Sequence, residues 1–345
     1  MQVPGVELTA TGATHREAAL AITRRFGIPS VNGDELLARK DINLIYIATP
    51  PFLHYSQGMK ALRAGKHVIC ENPLGMNTAE ADEMIRMARN DGLLLIANLM
   101  QRHNSLFSTV QRLVESKALG EFLHGYLENY ASDEGLGAGH WFWDREKSGG
   151  IFIEHGVHFF DMFSGWLGHG EVLSARRTVR PGTEMEEQVS CVVRYPGGGL
   201  VNFYHGFTQA SRMDRQEFRL LFERGDVTLE ERVPGRARIR AIADEDQTRH
   251  LLELFPGARL DVSATYGGKD RAASGRHKAL DIFQKIEITY DPETEKLHCC
   301  GDLLRRMFRD QIAWIHDRKH SRIVTEENGR DSLAIAEEAN RMARL

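Results

Sequence analysis

The chain has 345 residues, of which 42% are hydrophobic and 27% are charged, as in globular proteins with about two domains. Its formal net charge of -4 argues against nucleic-acid binding, which normally requires a basic face. Apolar runs such as 93–97 are too short to span a bilayer, no signal peptide is visible, and the four cysteines show no C-x-x-C spacing. We therefore expect a cytoplasmic protein without a membrane segment or a cysteine zinc site.

Residues 1–102 are predicted to form an α/β domain with a parallel sheet, because short apolar runs alternate with helical patterns. Strands are predicted at 6–11, 43–48, 66–70 and 93–98. Helices are predicted at 14–26, from 51 towards 65, and from 77 to about 92. Thr14 and Glu17 form a capping box for the first helix, and Asn77 caps the third. This alternation is typical of a doubly wound fold.

Residues 103–345 are predicted to form a second, α+β domain. From about residue 170, apolar and polar residues alternate with period two between glycine turns. Strands are predicted at 188–195, 200–207, 217–223, 236–242 and 285–290, and closing helices at 303–315 and 332–343. We therefore expect an open, mainly antiparallel sheet with flanking helices.

The segment 148–161 carries the most informative chemistry. If it is helical, Glu154, His158 and Asp161 lie at i, i+4 and i+7 on one face of an otherwise apolar, buried helix. Burying these groups is costly unless they are paired or face a polar cavity. One interpretation is catalytic, with His158 as general acid/base oriented by Glu154. A buried structural network is the second, and a metal site of His155, His158 and Asp161 is the third.

Small or polar residues follow two of the predicted strands. Ala48, Thr49 and Pro50 come at the end of the strand at 43–48, and Glu71 and Asn72 follow the strand at 66–70. Ligands bind beyond the carboxyl ends of strands in open α/β sheets. We therefore expect both segments to contribute to one binding site, although prolines alone commonly end strands.

Together these segments resemble the Gfo/Idh/MocA oxidoreductase family, the relatives of glucose-fructose oxidoreductase and inositol dehydrogenase. The resemblance covers nearly the whole chain. It rests on Ala-Thr-Pro-Pro-x-x-His at 48–54, on Gly-Lys-His-Val at 65–68 with Glu-Asn-Pro at 71–73, and on Gly-Gly at 149–150 with Gly-x-His-x-x-Asp at 156–161. It implies a Rossmann domain that binds NAD or NADP, and an α+β domain whose open sheet forms a homodimer or homotetramer. The implied reaction is hydride transfer at a hydroxyl or ketone of a sugar, glycoside or cyclitol.

The resemblance also implies roles for individual residues. His158 would transfer the proton, Glu154 stands where the family usually has aspartate, and Asn72 stands where it has the lysine of Glu-Lys-Pro. The cofactor site is predicted to include Ala48, Thr49, Pro50, His54 and Glu71. The substrate site is predicted to include Arg102, Trp141, His155 and Asp161. No metal is expected.

The sequence departs from the family pattern at its beginning. The family opens with a strand and a G-x-G-x-x-G turn, whereas this sequence starts at what resembles the second strand. Because the first strand lies in the middle of the 3-2-1-4-5-6 order, its loss would split the sheet. We expect in-frame DNA upstream to encode this unit of about 30 residues.

Two further departures concern the chemistry. Asn72 supplies hydrogen-bond donors but no charge, for which Arg102 or His155 could compensate. The acid that usually bonds the adenosine ribose aligns with Ala13, and Thr14 and Arg16 follow, so NADP is slightly favoured over NAD.

Two alternative functions remain compatible with the sequence. Some relatives retain the nicotinamide and cleave a glycosidic bond by transient oxidation, which net consumption of free cofactor would distinguish. A cofactor-sensing regulatory protein of the same fold is the other alternative. The retention of Glu154 and His158 argues against it, since a sensor has no need of a proton relay.

Overall fold

The structure is a computed structural model that describes residues 3–12, 16–231, 233–292 and 296–343. Its amino-terminal part confirms the predicted alternation of strands and helices. The elements are β1 (Thr11–Gly12), α1 (Arg16–Phe26), β2 (Ser30–Val31), α2 (Gly33–Ala38), β3 (Leu44–Ile47), α3 (His54–Arg63), β4 (His67–Cys70), α4 (Thr78–Asn90) and β5 (Leu95–Ala97).

The parallel strands of this part are divided between two sheets. β1 pairs with β2, whereas β3, β4 and β5 form a separate three-stranded sheet. The strand predicted at 6–11 is wrong in extent, because only its last residue and Gly12 are in β1. In this part of the structure β1 has a partner strand on one side alone, which limits the hydrogen bonds that could extend it.

The core of this part forms between β4, β5 and α4. The side chains of β4 and β5 are almost entirely buried, as expected for strands of a parallel sheet with covered faces. α4 buries a stripe at helical spacing, comprising Ala81, Met84, Ile85 and Ala88. Its predicted cap is confirmed, since the Asn77 Oδ1 atom accepts a hydrogen bond from the Glu80 N–H at 3.0 Å.

The rest of the chain forms a nine-stranded sheet with helices against it, as predicted. Its elements are α5 (Ser105–Ser116), β6 (Phe122–Ser132), α6 (Arg145–Ser148), α7 (Val157–Leu167), β7 (Glu171–Val179), β8 (Glu186–Arg194), β9 (Leu200–Gln209), β10 (Arg215–Phe222), β11 (Gly225–Glu230), β12 (Arg236–Ala243), α8 (Glu245–Leu254), β13 (Arg259–Thr265), β14 (Ala272–Gly275), β15 (Lys278–Asp281), β16 (Gln284–Tyr290), α9 (Lys296–His316) and α10 (Glu326–Met342).

The order of the large sheet is β13-β16-β12-β11-β10-β6-β9-β8-β7. Neighbouring strands are antiparallel except β6 and β9, which are parallel. The hairpin of β14 and β15 is separate. The sequence did not predict β6, although it lies inside the sheet. Within the described parts of the chain, no helix is both long and apolar enough to cross a lipid bilayer.

Aromatic packing fixes α7 on the large sheet. The ring of Phe160 lies 4.8 Å from that of Phe203 in β9, and Phe163 contacts the same ring at 5.0 Å. The ring of Phe159 lies 5.6 Å from that of Phe218 in β10. Because each of these side chains is almost fully buried, the helix is held in one position and rotation on the sheet.

α10 connects the two parts of the molecule. The Glu337 Oε2 atom accepts hydrogen bonds from the backbone N–H and the hydroxyl of Thr78, at the start of α4. The Asn340 Nδ2 atom donates to the Gly149 carbonyl at 2.5 Å, in the turn that precedes α7. The helix therefore fixes the α7 segment relative to the three-stranded sheet.

Candidate active site

A cavity of about 300 Å³ lies between the carboxyl ends of β3, β4 and β5 and the α7 segment. It brings together the two regions that the sequence singled out, the strand ends and the segment 148–161. The predicted site residues in its lining are Thr49, Glu71, Asn72, Trp141, Glu154, His158 and Asp161.

The turn before α7 sets the direction of the helical segment that carries Glu154, His158 and Asp161. Gly149 and Gly150 have φ angles of 80° and 88°, in the region that favours glycine. The N–H of Ile151 donates to the buried Glu186 Oε1 atom at 2.7 Å, and a Cβ atom on Gly150 would lie 2.9 Å from the same oxygen. The chain continues as a π-helical turn over Phe152–Gly156 and then as α7.

The predicted shared face of this helical segment is present. Glu154, His158 and Asp161 all line the cavity, although the π-helical turn replaces the regular α-helix that the sequence suggests for the first of them. π-helical turns are rare in proteins, and those that occur are often found at functional sites. The structure thus places two carboxylates and an imidazole at one shared cavity.

Asn72 joins the loop after β4 to this helical segment. Its Nδ2 atom donates to the carbonyl oxygen of Asn98 at 2.8 Å, and the same nitrogen lies 3.3 Å from the Nδ1 atom of His158. The side chain is buried. Both amide hydrogens of Asn72 therefore face groups of the protein, and its Oδ1 atom is the part of the amide left for a ligand.

Glu71 is held by two residues that the sequence does not single out. Its carboxylate accepts hydrogen bonds from the hydroxyl of Tyr46 and from the Nδ2 atom of Asn98, the latter at 3.0 Å. Burial raises the pKa of Tyr46, and the charge of Glu71 raises it further, so the hydroxyl remains a donor. Asn98 directly follows β5, and its position at a strand end is the signal that could have identified it.

Asn98 also presents an unused acceptor at the cavity. Its Oδ1 atom is buried and has no hydrogen-bond partner among the described residues. A buried polar atom without a partner is costly, on the order of 1–3 kcal/mol. Because Asn98 lines the cavity beside Glu71, a donor group of a bound molecule would satisfy this oxygen.

His54 lies outside the cavity lining, as do Ala48 and Pro50, although all three were predicted for the cofactor site. The ring of His54 is 1% exposed. Its Nδ1 atom lies 2.7 Å from the Pro73 carbonyl oxygen, and its Nε2 atom lies 2.6 Å from that of Thr49. His54 thus connects the loops after β3 and β4 and holds in place residues that do line the cavity.

Arg102 and Asp161 form a buried ion pair. The Arg102 Nε atom lies 2.9 Å from Oδ2 of Asp161, and its Nη2 atom lies 2.8 Å from Oδ1. Burial raises the pKa of Asp161, whereas the Arg102 guanidinium lowers it. Because both carboxylate oxygens bind the guanidinium, the pair links the segment after β5 to α7, and its predicted contact with substrate stays a prediction.

His155 lies against the large sheet. Its ring is 5.5 Å from that of His205 in β9 and 6.4 Å from that of His158. Burial lowers the pKa of His205 to about 3, so this ring is neutral. Among the described residues, no group of three His, Cys, Asp or Glu side chains could hold a metal ion, so the metal interpretation has no support there.

The residues predicted to favour NADP fall on a part of the chain that is only partly described. Ala13 and Thr14 lie outside the described residues, and so does the side chain of Arg16, where α1 begins.

Comparisons with known proteins agree with this architecture. The Gfo/Idh/MocA oxidoreductase family, described as having an NAD-binding Rossmann fold, matches residues 1–99, and the GFO/IDH/MocA C-terminal domain matches residues 107–228. Among solved structures, the 3-ketoreductase KijD10 of Actinomadura kijaniata, in complex with NADP and TDP-benzene, has a TM-score of 0.74. It is 19% identical, over 99% of this chain and 91% of that one, which shows a shared fold.

Curated relatives match over shorter stretches. The dTDP-3,4-didehydro-2,6-dideoxy-alpha-D-glucose 3-reductase of Streptomyces violaceoruber is 39% identical over 34% of this chain and 35% of its own length. The 1,5-anhydro-D-fructose reductase of Ensifer adhaerens is 29% identical over 59% of this chain and 62% of its own. The matches thus span between a third and two thirds of these relatives. Because the two family matches together cover more than half of the sequence, the chain belongs to the Gfo/Idh/MocA family.

Proposed function

We propose that the protein is an NAD(P)-dependent oxidoreductase that transfers a hydride between the nicotinamide and a hydroxyl or ketone carbon of a sugar, glycoside or cyclitol. The observation that carries this proposal is the convergence of Glu71, Asn72 and His158 on one cavity at the carboxyl ends of parallel strands. Such strand ends are where open α/β sheets bind their ligands.

The residues at the strand ends fit a nicotinamide. The unsatisfied Oδ1 atom of Asn98 matches an N–H donor of a carboxamide, and Glu71, held by Tyr46, offers further acceptor oxygens beside it. Thr49 lines the same side of the cavity. When bound there, the cofactor supplies or accepts the hydride.

The α7 segment supplies the proton chemistry. In the direction of reduction, the substrate oxygen gains negative charge, and His158 provides the proton that converts it to a hydroxyl. Glu154 lies about one helical turn before His158 and lines the same cavity. We therefore assign Glu154 the role of orienting the imidazole ring and adjusting its basicity.

A ring-shaped sugar derivative fits this cavity best. Its volume of about 300 Å³ is at the lower end of the range for ligand sites, so beside the nicotinamide it suits a substrate of one ring and not an oligosaccharide. Trp141 in the lining offers a flat apolar surface to such a ring. Two of the relatives described above are named as reductases of sugar derivatives, which supports the same substrate class.

NADP is slightly favoured over NAD, because the segment of Ala13, Thr14 and Arg16 lacks the acid that repels a 2′-phosphate, and the KijD10 structure holds NADP. We also propose a domain boundary between residues 102 and 103, a cytoplasmic location, and a homodimer or homotetramer formed through the nine-stranded sheet.

The test is stoichiometric turnover. Purified protein is incubated with NADPH or NADH and a panel of ring ketones of monosaccharides, anhydro sugars and cyclitols. We expect each mole of ketone reduced to consume one mole of nicotinamide. Cleavage of a glycoside without net cofactor change would instead indicate the redox-assisted alternative. Tight cofactor binding without turnover on any member of the panel would favour the sensing alternative, which the relatives named above do not support.

A further inference from the structure

The side-chain amide of Asn72 is held in one orientation. Its Nδ2 atom lies 2.8 Å from the backbone carbonyl oxygen of Asn98, and a carbonyl oxygen can only accept a hydrogen bond. Rotating the amide by 180° would place Oδ1 against that oxygen, so that two acceptors would face each other. The contact with Asn98 therefore decides which end of the amide is the nitrogen.

The same nitrogen has a second hydrogen, which faces His158. Nδ2 lies 3.3 Å from the Nδ1 atom of His158. If Nδ1 carried a hydrogen, two donors would oppose each other, and if the ring were flipped, a C–H group would face the donor. The arrangement is favourable only when Nδ1 carries a lone pair.

We propose that Asn72 is a positioning residue that selects the tautomer of His158 with its hydrogen on Nε2. His158 then meets a substrate oxygen as an N–H donor while its ring is neutral. The contacts between Asn72, Asn98 and His158 are sufficient to infer the tautomer. The catalytic consequence of the tautomer rests on the proposed function.

In ketone reduction, this tautomer defines where each atom goes. The hydride adds to the carbonyl carbon, the electron pair of the C=O double bond moves to the oxygen, and the hydrogen on Nε2 of His158 moves to that oxygen. Water returns a proton to the ring after the product leaves. A neutral imidazole that donates to a carbonyl is a known catalytic electrophile. The hydrogen bond from Asn72 to Nδ1 stabilises the negative charge that develops on the ring.

This role is compatible with an amide where the resemblance implies a lysine. Asn72 supplies a donor towards Nδ1 of His158 without adding a positive charge, so hydrogen-bond direction selects the tautomer.

The test is the NMR spectrum of protein labelled with ¹⁵N in its histidines, recorded without cofactor, in which protonated and unprotonated ring nitrogens resonate far apart. The variant H158Q identifies the His158 signals by their disappearance. In the wild-type protein we expect a hydrogen on Nε2 and none on Nδ1. N72D keeps the side-chain shape but offers an acceptor, so we expect its His158 hydrogen to move to Nδ1. N72L removes the donor and should give a mixture of the two tautomers.

N77D provides the matched control, because Asn77 caps α4 away from His158 and aspartate is an equally good cap. We expect the wild-type tautomer in N77D. A wild-type hydrogen on Nδ1, or the same tautomer in wild type, N72D and N72L, would overturn the proposal. Thermal unfolding identifies a variant that fails to fold, and N72L replaces N72D in that event.

The catalytic consequence has a separate readout. In N72D, we expect kcat for ketone reduction to fall about 10²-fold, with little change in KM, because the ring then presents an acceptor to the substrate oxygen. An unchanged kcat with a reversed tautomer would overturn the catalytic part. If the wild-type protein reduces no ketone at all, the proposed function fails, while the NMR result still decides the tautomer.

Discussion

Replacing Arg102 by methionine leaves the carboxylate of Asp161 buried without its cation. The Asp161 side chain is 2% exposed, and Arg102 contacts both of its oxygens within 3.0 Å. Removing one partner of a buried ion pair typically costs about 3–5 kcal/mol, because the remaining charge is left uncompensated. We expect R102M to lose about this much free energy of unfolding at neutral pH.

The loss in R102M depends on pH in a defined direction. Burial already raises the pKa of Asp161 above that of an unfolded chain, against the opposing effect of Arg102. When the pKa of a carboxyl is higher in the folded state than in the unfolded state, the protein loses stability as the pH rises between these two pKa values. The reason is that the unfolded state then releases the proton at a lower pH than the folded state does. Without Arg102 the pKa of Asp161 rises further, because the guanidinium no longer opposes the effect of burial. R102M should therefore be close to wild type near pH 4 and weakest at neutral pH.

Urea unfolding of wild type, R102M, D161N and the double variant R102M/D161N, at pH 4.5 and 7.5, measures this effect. The double variant contains no buried charge at this place and should recover most of the loss at pH 7.5. A loss below about 1 kcal/mol for R102M at pH 7.5 would refute a structural ion pair. It would instead leave Arg102 and Asp161 as the substrate-binding residues that the sequence predicts.

Three further predictions concern the catalytic segment and the fold. H158A should lower kcat by roughly 10² to 10⁴ while cofactor affinity, measured by calorimetry, changes little; unchanged kcat would leave His158 with a structural role. E154Q should lower kcat less than H158A and shift its pH profile to lower pH. Without the carboxylate that favours a protonated ring, the neutral ring that donates to the substrate persists to lower pH, and an unshifted profile would contradict this role for Glu154. N77A should lower the free energy of unfolding by about 1 kcal/mol, because α4 loses its cap. A decrease of less than about 0.3 kcal/mol in urea titrations would contradict a stabilising cap at Asn77.

The sequence predicts those parts of the molecule that local signals determine. The strands β3, β4 and β5 are short apolar runs ended by proline or polar residues, and α4 has its cap at Asn77. The stripe of Glu154, His158 and Asp161 follows from helical spacing, and the structure places all three at one cavity. Their chemical roles stay predictions.

Other features depend on contacts between distant residues. β6 was not predicted because its buried face includes Asn129 as well as Leu127 and is therefore not continuously apolar. In addition, its partner strands β9 and β10 follow much later in the chain. The roles of Tyr46 and Asn98 depend on the pairing of β3, β4 and β5. Two backbone carbonyl oxygens hold the ring of His54, and no sequence pattern reveals the direction of a carbonyl. Its predicted place in the cofactor site stays a prediction.

The most direct test of the proposed hydride transfer uses NADPH deuterated at both hydrogens of nicotinamide C4. The protein is incubated with this cofactor and a ring ketone of a sugar or cyclitol, and the product is analysed by mass spectrometry and NMR. With the wild-type protein, we expect an alcohol product that carries one deuterium on the former carbonyl carbon. With H158A, we expect a strongly reduced amount of this deuterated alcohol. An alcohol product without deuterium, or equal formation of the deuterated product by H158A, would contradict the assignment of the cavity beneath α7 as the active site of an oxidoreductase.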